Sequence, residues 1–335
     1  MNVGVIGTGA IGTDHIRRLT GRVAGARVTA VFDVDTARAA TVAAMAGAAS
    51  HREADDVIDD PAVEAVLVAS PGDTHADLVL ACIAAGKPVL CEKPLASTSD
   101  AALKVVEAEV TYGRRLVQVG FMRRYDGGYL GVKTALAAGR IGEPLLVHCV
   151  HRNVSVPPSF TGDMSLTDSL VHEVDACRWL LDQEIVAATV VDVPHSPLAL
   201  PQLRDPRLVL LETERGIVID AEVFVNARYG YDVRCEVVGT TGTVALDAPS
   251  TGVVALEGGR VQALPMDWEA RFGQAYVDEL QAWVDAASQG TADGPSAWDG
   301  YAATAVAEAA VASRGARTKV DLAERPGLYS GESLP

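Results

Sequence analysis

Gly7-Thr8-Gly9-Ala10-Ile11-Gly12 decides the fold of this chain, and it directly follows the apolar segment Asn2–Ile6. The glycines have the spacing G-x-G-x-x-G between a predicted strand and a predicted helix, which is the setting of a dinucleotide-binding turn. Gly7 permits the tight turn, Gly9 lets the backbone approach a pyrophosphate, and Gly12 allows close packing of the helix. The free N–H groups at the helix N-terminus attract the anion. The cofactor-binding residues predicted from this stretch are Gly7, Gly9, Ala10, Ile11 and Gly12.

Asp33 stands at the end of the second predicted strand, Arg27–Phe32, about 20 residues after Gly12. A carboxylate at this place accepts hydrogen bonds from the adenosine ribose hydroxyls, and with the glycine turn it indicates a bound dinucleotide. The plainer alternative is a glycine loop with Asp33 capping the next helix. Because Asp35 is also acidic and no arginine neighbours the pair, a 2′-phosphate is expected to be repelled, so we expect NAD rather than NADP. For Asp35 itself, an N-cap of the helix from Thr36 is the better interpretation.

Strands and helices alternate through the first third of the chain. This alternation predicts a parallel sheet covered on both faces, an α/β Rossmann domain over residues 1–120. The further strands are predicted at Ala65–Ala69, Pro88–Cys91 and Arg115–Val119, and the helices at Ala10–Thr20, Thr36–Ala46, Thr74–Ala85 and Ser99–Tyr112.

The pattern changes after Gly120, where hairpin-like strands with glycine-rich turns replace the alternation. We therefore expect residues 121–335 to form a substrate-binding and oligomerisation domain of α+β class, with a large, mainly antiparallel open sheet. Residues 194–206 contain four prolines and are predicted to form a loop, and residues 327–335 a loose tail. The strands of this second domain are predicted at Pro144–Val150, Val186–Val193, Arg207–Glu212, Ile217–Val225, Asp232–Val238 and Gly242–Leu246, and its helices near Gly131–Ala138, Phe272–Ser288 and Ala297–Ser313.

Composition excludes several classes of function. The formal net charge of −16 leaves no basic excess to neutralise phosphates, so neither nucleic acid nor an anionic membrane is an expected partner. No apolar run approaches the ~20 residues of a membrane span, and the N-terminus lacks the pattern of a secretory signal, so a cytoplasmic protein is expected. Five scattered cysteines without a C-x-x-C pair fit neither a disulfide framework nor a zinc site.

Two further motifs carry ionisable side chains. Cys91-Glu92-Lys93-Pro94-Leu95 places Lys93 at the carboxyl end of a predicted parallel strand, where open α/β sheets bind their ligands. Asp168-Ser169-Leu170-Val171-His172 places an acid and a histidine four residues apart, hence on one face of a predicted helix that continues through Leu181. Taken singly, a loop lysine and an i,i+4 pair of this kind are more often simple surface features.

Taken together, these motifs resemble the glucose-fructose oxidoreductase, inositol dehydrogenase and MocA (Gfo/Idh/MocA) family, and most closely its inositol branch. The resemblance spans almost the whole chain and is specific in the Glu-Lys-Pro and Asp/His motifs. It rests on Gly7–Gly12, Ala69-Ser70-Pro71, Thr74-His75, Glu92-Lys93-Pro94, Gly120–Asp126, Asp168–Asp175 and Tyr229-Gly230-Tyr231-Asp232.

The resemblance implies three groups of site residues. It implies a catalytic group of Lys93, Asp168 and His172, which also contact substrate. Further substrate contacts are implied for Arg123, Asn153 and Tyr231. The nicotinamide half of the cofactor site is implied at Ser70, Pro71, His75, Glu92 and Lys93, although His75 could equally be a structural residue at a helix start.

The chemistry expected of such a site is oxidation of a secondary hydroxyl. His172 suits the base, because imidazole titrates near the working pH, while the cofactor takes the hydride. Lys93 would stabilise the developing alkoxide, and Asp168 would orient the site and offset the lysine's charge. No metal is required.

The resemblance implies a small polyol or cyclitol substrate, with myo-inositol oxidised to 2-keto-myo-inositol (scyllo-inosose) as first choice. Another inositol isomer, an inosose or an aldose stays open, because residues 151–163 and 194–206 match the family less securely. An NAD-binding regulator or sensor without catalysis is the alternative from another class, against which the presence of all three catalytic residues argues. A homo-oligomer, commonly a tetramer in this family, is also implied.

Overall fold

A six-stranded parallel sheet forms the centre of the first unit in the computed structural model, which describes residues 1–246, 253–256 and 258–330. The predicted α/β Rossmann architecture is therefore confirmed. Its strands are β1 (Asn2–Ile6), β2 (Arg27–Phe32), β3 (Ala49–Ser50), β4 (Ala65–Val68), β5 (Val89–Cys91) and β6 (Val117–Val119), in the spatial order β3-β2-β1-β4-β5-β6. Its helices are α1 (Ala10–Gly21), α2 (Thr36–Ala46), α3 (Ala54–Asp59), α4 (His75–Ala84) and α5 (Ser99–Tyr112).

The second unit is built on a seven-stranded sheet, and the later part of the chain adds two long helices and a two-stranded hairpin. Its first elements are α6 (Gly127–Ala137), β7 (Pro144–Arg152) and α7 (Val171–Leu181). The strands that follow are β8 (Ile185–Val191), β9 (Arg207–Thr213), β10 (Val218–Phe224), β11 (Asp232–Gly239) and β12 (Thr243–Ala245), with the hairpin β13 (Val253–Leu256) and β14 (Gly259–Gln262). The last elements of the chain are α8 (Trp268–Ala287), α9 (Ala297–Ser313) and β15 (Thr318–Lys319).

This larger sheet is mainly antiparallel, as predicted, but it is not a succession of hairpins. Its order is β12-β11-β7-β10-β9-β8-β15, so β7 lies between β10 and β11 and runs parallel to β10. An alternation of buried and exposed residues shows that a segment is a strand, yet it does not say which strand becomes its neighbour. The central place of β7 therefore had no signal in the sequence.

The boundary between the two units differs from the predicted one. The second domain was expected to run from residue 121 to the end, whereas residues 276–304 and the described chain from Leu322 belong to the first unit. The physical reason is the C-terminal half of α8. Its Leu280 and Trp283 are fully buried in the same core as Val3, Val5 and Leu67. An amphipathic helix late in the chain completes the core begun by the first strand.

The prediction of a loose tail over residues 327–335 is wrong for residues 327–329. Gly327–Tyr329 forms a 3₁₀ turn, and the Tyr329 side chain is fully buried. Its hydroxyl donates to Glu109 Oε2 at 2.6 Å, and Glu109 Oε1 accepts from the N–H groups of Leu116 and Val117. Burial raises the pKa of Glu109 above its ordinary value despite these hydrogen bonds. Residues 331–335 lie outside the described part of the chain.

All five cysteines are free thiols in buried positions, where they contribute to packing. No helix in the described ranges is long and apolar enough to cross a membrane.

Candidate active site

Each glycine of the turn between β1 and α1 is suited to its position for a different reason. Gly7 has φ +95°, and a Cβ there would lie 2.5 Å from the backbone of Ala69. A Cβ on Gly12 would lie 2.1 Å from the Gly7 carbonyl oxygen, so the helix packs on the turn only without one. A Cβ on Gly9 would meet no atom of the described residues within 4 Å. Gly9 therefore leaves open space at the N-terminus of α1 and has no side chain of its own to cap the free N–H groups, and this fits a pyrophosphate.

Asp33 is held by four hydrogen bonds. Its Oδ2 accepts from the N–H and hydroxyl of Thr8 at 2.6 and 2.9 Å, and its Oδ1 accepts from the Asp35 N–H and from Arg38. Burial raises the pKa of Asp33, but the backbone N–H groups of Asp35 and Thr8 and the Arg38 guanidinium outweigh it and lower the pKa overall. The ionised carboxylate thus lies next to the glycine turn, as an adenosine ribose site requires.

Arg38 corrects the expectation that no arginine accompanies the two acids. One turn of α2 brings its guanidinium 2.7 Å from Asp33 Oδ1 and 3.3 Å from Asp35 Oδ2. Its charge is thereby neutralised by the acids instead of being offered to a 2′-phosphate. Asp35 also accepts from the Arg38 N–H and caps α2, as predicted.

Glu92 and Lys93 follow directly on β5, and Glu92 is anchored to α1. The His15 ring, fully buried, donates from Nε2 to Glu92 Oε1 at 2.7 Å, and the Lys93 N–H donates to Glu92 Oε2 at 3.2 Å. Burial raises the pKa of Glu92, but His15 and Lys93 lower it more, so the carboxyl pKa is below its ordinary value. The ionised Glu92 fixes the backbone of the lysine loop to the helix that begins at the glycine turn.

His75 has the structural role that the sequence left open. It is the first residue of α4 and is buried, with its ring nitrogens 2.7 Å from the Pro94 carbonyl oxygen and 2.8 Å from that of Ser70. It therefore holds the Ser70-Pro71 loop against the loop that carries Lys93. The two loops directly follow the neighbouring parallel strands β4 and β5.

Asp168 and His172 do not share a regular α-helix, contrary to prediction. Ser165–Ser169 forms a π-helical turn, closed by a hydrogen bond from the Leu170 N–H to the Ser165 carbonyl, and α7 begins only at Val171. Asp168 is half-buried in this turn, whereas His172 is buried at the start of α7. Single π turns inserted before an α-helix are frequent at functional sites, and hydrophobic periodicity does not reveal them.

The residue after His172 organises a buried polar cluster. Glu173 accepts a hydrogen bond from the Arg123 guanidinium and lies 3.1 Å from His151 Nδ1. Arg123 also approaches the Tyr129 hydroxyl and His151, and its side chain is only 1% exposed. Burial raises the pKa of Glu173, but Arg123 and His151 outweigh it and lower that pKa. The Arg123 guanidinium is thus buried in an ion pair with Glu173, which favours a supporting role over a direct substrate contact.

Two further aromatic side chains, those of His172 and Tyr231, lie beside His151 of this cluster. The His151 ring centroid is 6.0 Å from that of His172 and 6.1 Å from that of Tyr231. Burial raises the pKa of Tyr231 to about 12, so its phenol stays a neutral hydrogen-bonding group at working pH. Near them in sequence, Asn153 Oδ1 is buried without a hydrogen-bond partner among the described residues. Such an acceptor fits a ligand hydroxyl, because a stranded buried acceptor is costly.

The structure thus places the predicted residues in two sets. The first unit contains Gly7, Gly9, Ala10, Ile11, Gly12, Asp33, Ser70, Pro71, His75, Glu92 and Lys93, and the second contains Arg123, Asn153, Asp168, His172 and Tyr231. Sequence reasoning missed His15, Arg38, His151 and Glu173. His15 and Glu173 are polar residues within buried helix faces, which could have been noticed, whereas the pairing of His151 with Glu173 needed the strand order. Within the described ranges, no three His, Cys, Asp or Glu side chains are grouped so as to hold a metal ion.

Comparison with known proteins agrees with this geometry. Residues 1–121 match an oxidoreductase family with an NAD-binding Rossmann fold, and residues 133–322 match that family's C-terminal alpha/beta domain. Inositol 2-dehydrogenase 1 of Saccharopolyspora erythraea is 55% identical, over 98% of this chain and 99% of its own length. Inositol 2-dehydrogenase of Pseudomonas fluorescens is 49% identical, again over 98% and 99%.

The chain is also similar in fold to a solved structure. The crystal structure of myo-inositol dehydrogenase from Lactobacillus casei in complex with NAD(H) and myo-inositol superposes with a TM-score of 0.95. It is 38% identical in sequence and covers 98% of this chain, which covers 99% of it. Both the cofactor turn and the second unit are therefore within the matched region.

Proposed function

This chain belongs to the Gfo/Idh/MocA oxidoreductase family, and from that membership we propose that it oxidises myo-inositol to scyllo-inosose. It is an NAD-dependent dehydrogenase. The curated relatives are inositol 2-dehydrogenases, and the similar crystal structure contains NAD(H) and myo-inositol. The substrate is therefore taken from proteins that match the chain over nearly its full length.

The structural observation that supports this substrate is the polar but largely neutral character of the cluster in the second unit. Arg123 is neutralised by Glu173, and Tyr231 stays un-ionised, so the groups near His172 present hydrogen-bond donors and acceptors more than net charge. The unpartnered Oδ1 of Asn153 adds a buried acceptor. A ring with a hydroxyl on every carbon and no charge matches such a site.

The reaction follows from the roles of three side chains. His172 takes the proton of the reacting hydroxyl, and Lys93 donates a hydrogen bond to its oxygen and stabilises the developing negative charge. Asp168 orients the site and offsets the charge of Lys93. When bound, NAD would accept the hydride from the carbon that bears this hydroxyl. Glu92 and His15 keep the backbone of Lys93 in place.

Three further residues support this group without contacting the reacting atoms: Arg123, Glu173 and His151. Because His151 bonds to Glu173 through Nδ1, its ring orientation is fixed against the rings of His172 and Tyr231. Arg123 is thus proposed to position the substrate contacts, and Asn153 and Tyr231 to make them.

A homotetramer in the cytoplasm completes the proposal. One face of the seven-stranded sheet bears Val218 of β10, 36% exposed, beside Leu146 of β7, which suits burial against another copy of the chain. The five free thiols suit a reducing compartment. Light scattering of the purified protein measures the number of subunits.

The test of the function is NADH formation with a panel of inositol isomers, inososes in the reverse direction, and aldoses. We expect myo-inositol to give the highest kcat/KM. Robust activity on an aldose or another isomer, with none on myo-inositol at saturating NAD and alkaline pH, would move the enzyme to another branch of the family. No turnover with any of them, but tight NADH binding, would favour the sensor.

A further inference from the structure

A cavity of about 600 Å³ lies in the second unit, lined by residues outside the proposed catalytic group. Its walls come from the segment before the π-helical turn, the end of β8, the loop before β9 and the end of α9. Its volume falls within the range of about 300 to 1,000 Å³ that is usual for small-molecule sites. Arg204, Arg207 and Arg314 all line it, and we call it the arginine pocket.

The charges of the arginine pocket are only partly balanced. Arg207 is 9% exposed and donates to Asp163 at 2.5 Å, but its Nε is buried without a partner among the described residues. Arg204 and Arg314 form no ion pair with any described residue. Against three guanidinium groups the lining offers the carboxylates of Asp163 and Asp192. A local excess of positive charge in a chain of net charge −16 indicates an anionic ligand.

We propose that the arginine pocket binds a phosphorylated small molecule. A phosphate monoester carries about −1.5 to −2 charges at neutral pH and presents three acceptor oxygens, so it can engage several guanidinium groups at once. A single carboxylate has half that charge and fewer acceptors. Leu166, Val190 and Val311 supply an apolar wall for the carbon skeleton of the ligand. Convergent polar groups beside apolar walls are typical of small-molecule sites.

The pocket has a direct connection to the turn that carries Asp168. The Asp163 carbonyl oxygen accepts from the N–H groups of Leu166 at 2.7 Å and Thr167 at 3.0 Å, so Asp163 begins that turn. A phosphate that takes the Arg207 guanidinium competes with the Asp163 side chain, which then loses its ion pair directly before that turn. We therefore expect occupancy of the pocket to lower kcat. This expectation rests on the proposed function, whereas the binding of a phosphate does not depend on it.

Binding is tested by calorimetry on the full-length protein in chloride buffer with NADH at saturation, so that the pyrophosphate site is occupied. The probes are inorganic phosphate, a hexose 6-phosphate and, for comparison, citrate. The test variant is Arg204→Gln with Arg314→Gln, and the matched control is Arg215→Gln with Arg317→Gln, two exposed arginines paired with Glu143 and Glu212. We expect both phosphates to bind the wild type and the control equally, and the test variant at least about tenfold more weakly.

No measurable binding of either phosphate at millimolar concentration, equal binding by the test variant, or tighter binding of citrate than of the hexose phosphate would each overturn the proposal. The connection to Asp168 is tested separately by kcat with myo-inositol. A fall of about twofold or more on adding the hexose phosphate to the wild type, absent in the test variant, supports it. Binding without any change in kcat would refute the connection to Asp168 but would not contradict the phosphate site itself.

Discussion

Arg123 and Glu173 form an ion pair within the second unit, with each side chain only 1% exposed. The pair joins the segment that opens this unit to the third residue of α7, directly after His172. A neighbouring pair repeats the connection, because Arg124 donates two hydrogen bonds to Asp175 at 3.0 and 2.6 Å. Two motifs that are far apart in sequence are thus fixed to each other by charge.

Replacing Glu173 with glutamine should destabilise the protein by about 3 kcal/mol or more, because it leaves the Arg123 charge buried without a counter-charge. Chemical denaturation at neutral pH measures this loss, and Arg215→Gln, at an exposed pair, should cost under about 1 kcal/mol. Equal effects of the two variants would contradict a buried ion pair.

The same pair predicts a dependence of stability on pH. The pKa of Glu173 is lowered in the folded protein, so its contribution is fully present above the ordinary glutamate pKa of about 4.3 and is lost as pH falls through the lowered value. The difference in unfolding free energy between wild type and Glu173→Gln should therefore shrink in acid. A difference that stayed constant to the lowest measurable pH would show that the carboxylate charge is not responsible.

The sequence predicted the first unit better than the second, for physical reasons. The glycine turn, Asp33 and Lys93 lie at the carboxyl ends of the parallel strands β1, β2 and β5, where local pattern and sheet edge coincide. The second unit depends on pairings between distant segments. Neither the parallel neighbour of β7 nor the pairing of Arg123 with Glu173 can be seen in hydrophobic periodicity.

Arg38 and the C-terminal half of α8 show two other limits. Arg38 is not a sequence neighbour of Asp33, yet one helical turn returns its side chain to the carboxylate. Trp283 completes a core that begins with Val3, and such a return of the chain leaves no local signal.

Cofactor choice should respond to Asp33 and Arg38 together. Asp33→Ala removes the ribose acceptor and releases Arg38 from its nearer partner, so kcat/KM with NADP should rise relative to NAD by about tenfold or more. Adding Arg38→Gln should reverse most of the gain, because no guanidinium is left to pair with the 2′-phosphate. Initial rates with both cofactors measure this. Equal wild-type kcat/KM with NAD and NADP would defeat the assignment of Asp33.

Chemistry and cofactor binding should separate at Lys93 and His172. Changing either residue to alanine should lower kcat by about 10²- to 10⁴-fold while the Kd for NADH, measured by fluorescence titration, changes little. Lys104→Ala in α5 is a control of the same residue type outside the site. Wild-type turnover by His172→Ala at every pH would show that this histidine is not the base.

The final prediction concerns how the substrate hydroxyls are recognised. Asn153 Oδ1 is a buried acceptor without a partner among the described residues, and we expect one hydroxyl of myo-inositol to donate to it. Removing that hydroxyl strands the acceptor at a cost of about 1–3 kcal/mol, so one monodeoxy-inositol should lose tenfold or more in kcat/KM. Asn153→Ala should impose a similar loss on myo-inositol itself, whereas Ser155→Ala, at an exposed position of the same segment, should not.

The two losses should not add for the deoxy-inositol that lacks the partner hydroxyl, because either change alone already removes the hydrogen bond. For the other monodeoxy-inositols the effects of Asn153→Ala and of the missing hydroxyl should combine multiplicatively in kcat/KM, since those hydroxyls have other partners. One non-additive position therefore identifies which hydroxyl binds Asn153. Multiplicative effects for every monodeoxy-inositol would show that the Asn153 side chain makes no hydrogen bond to the ring, and its open acceptor would then need a different occupant.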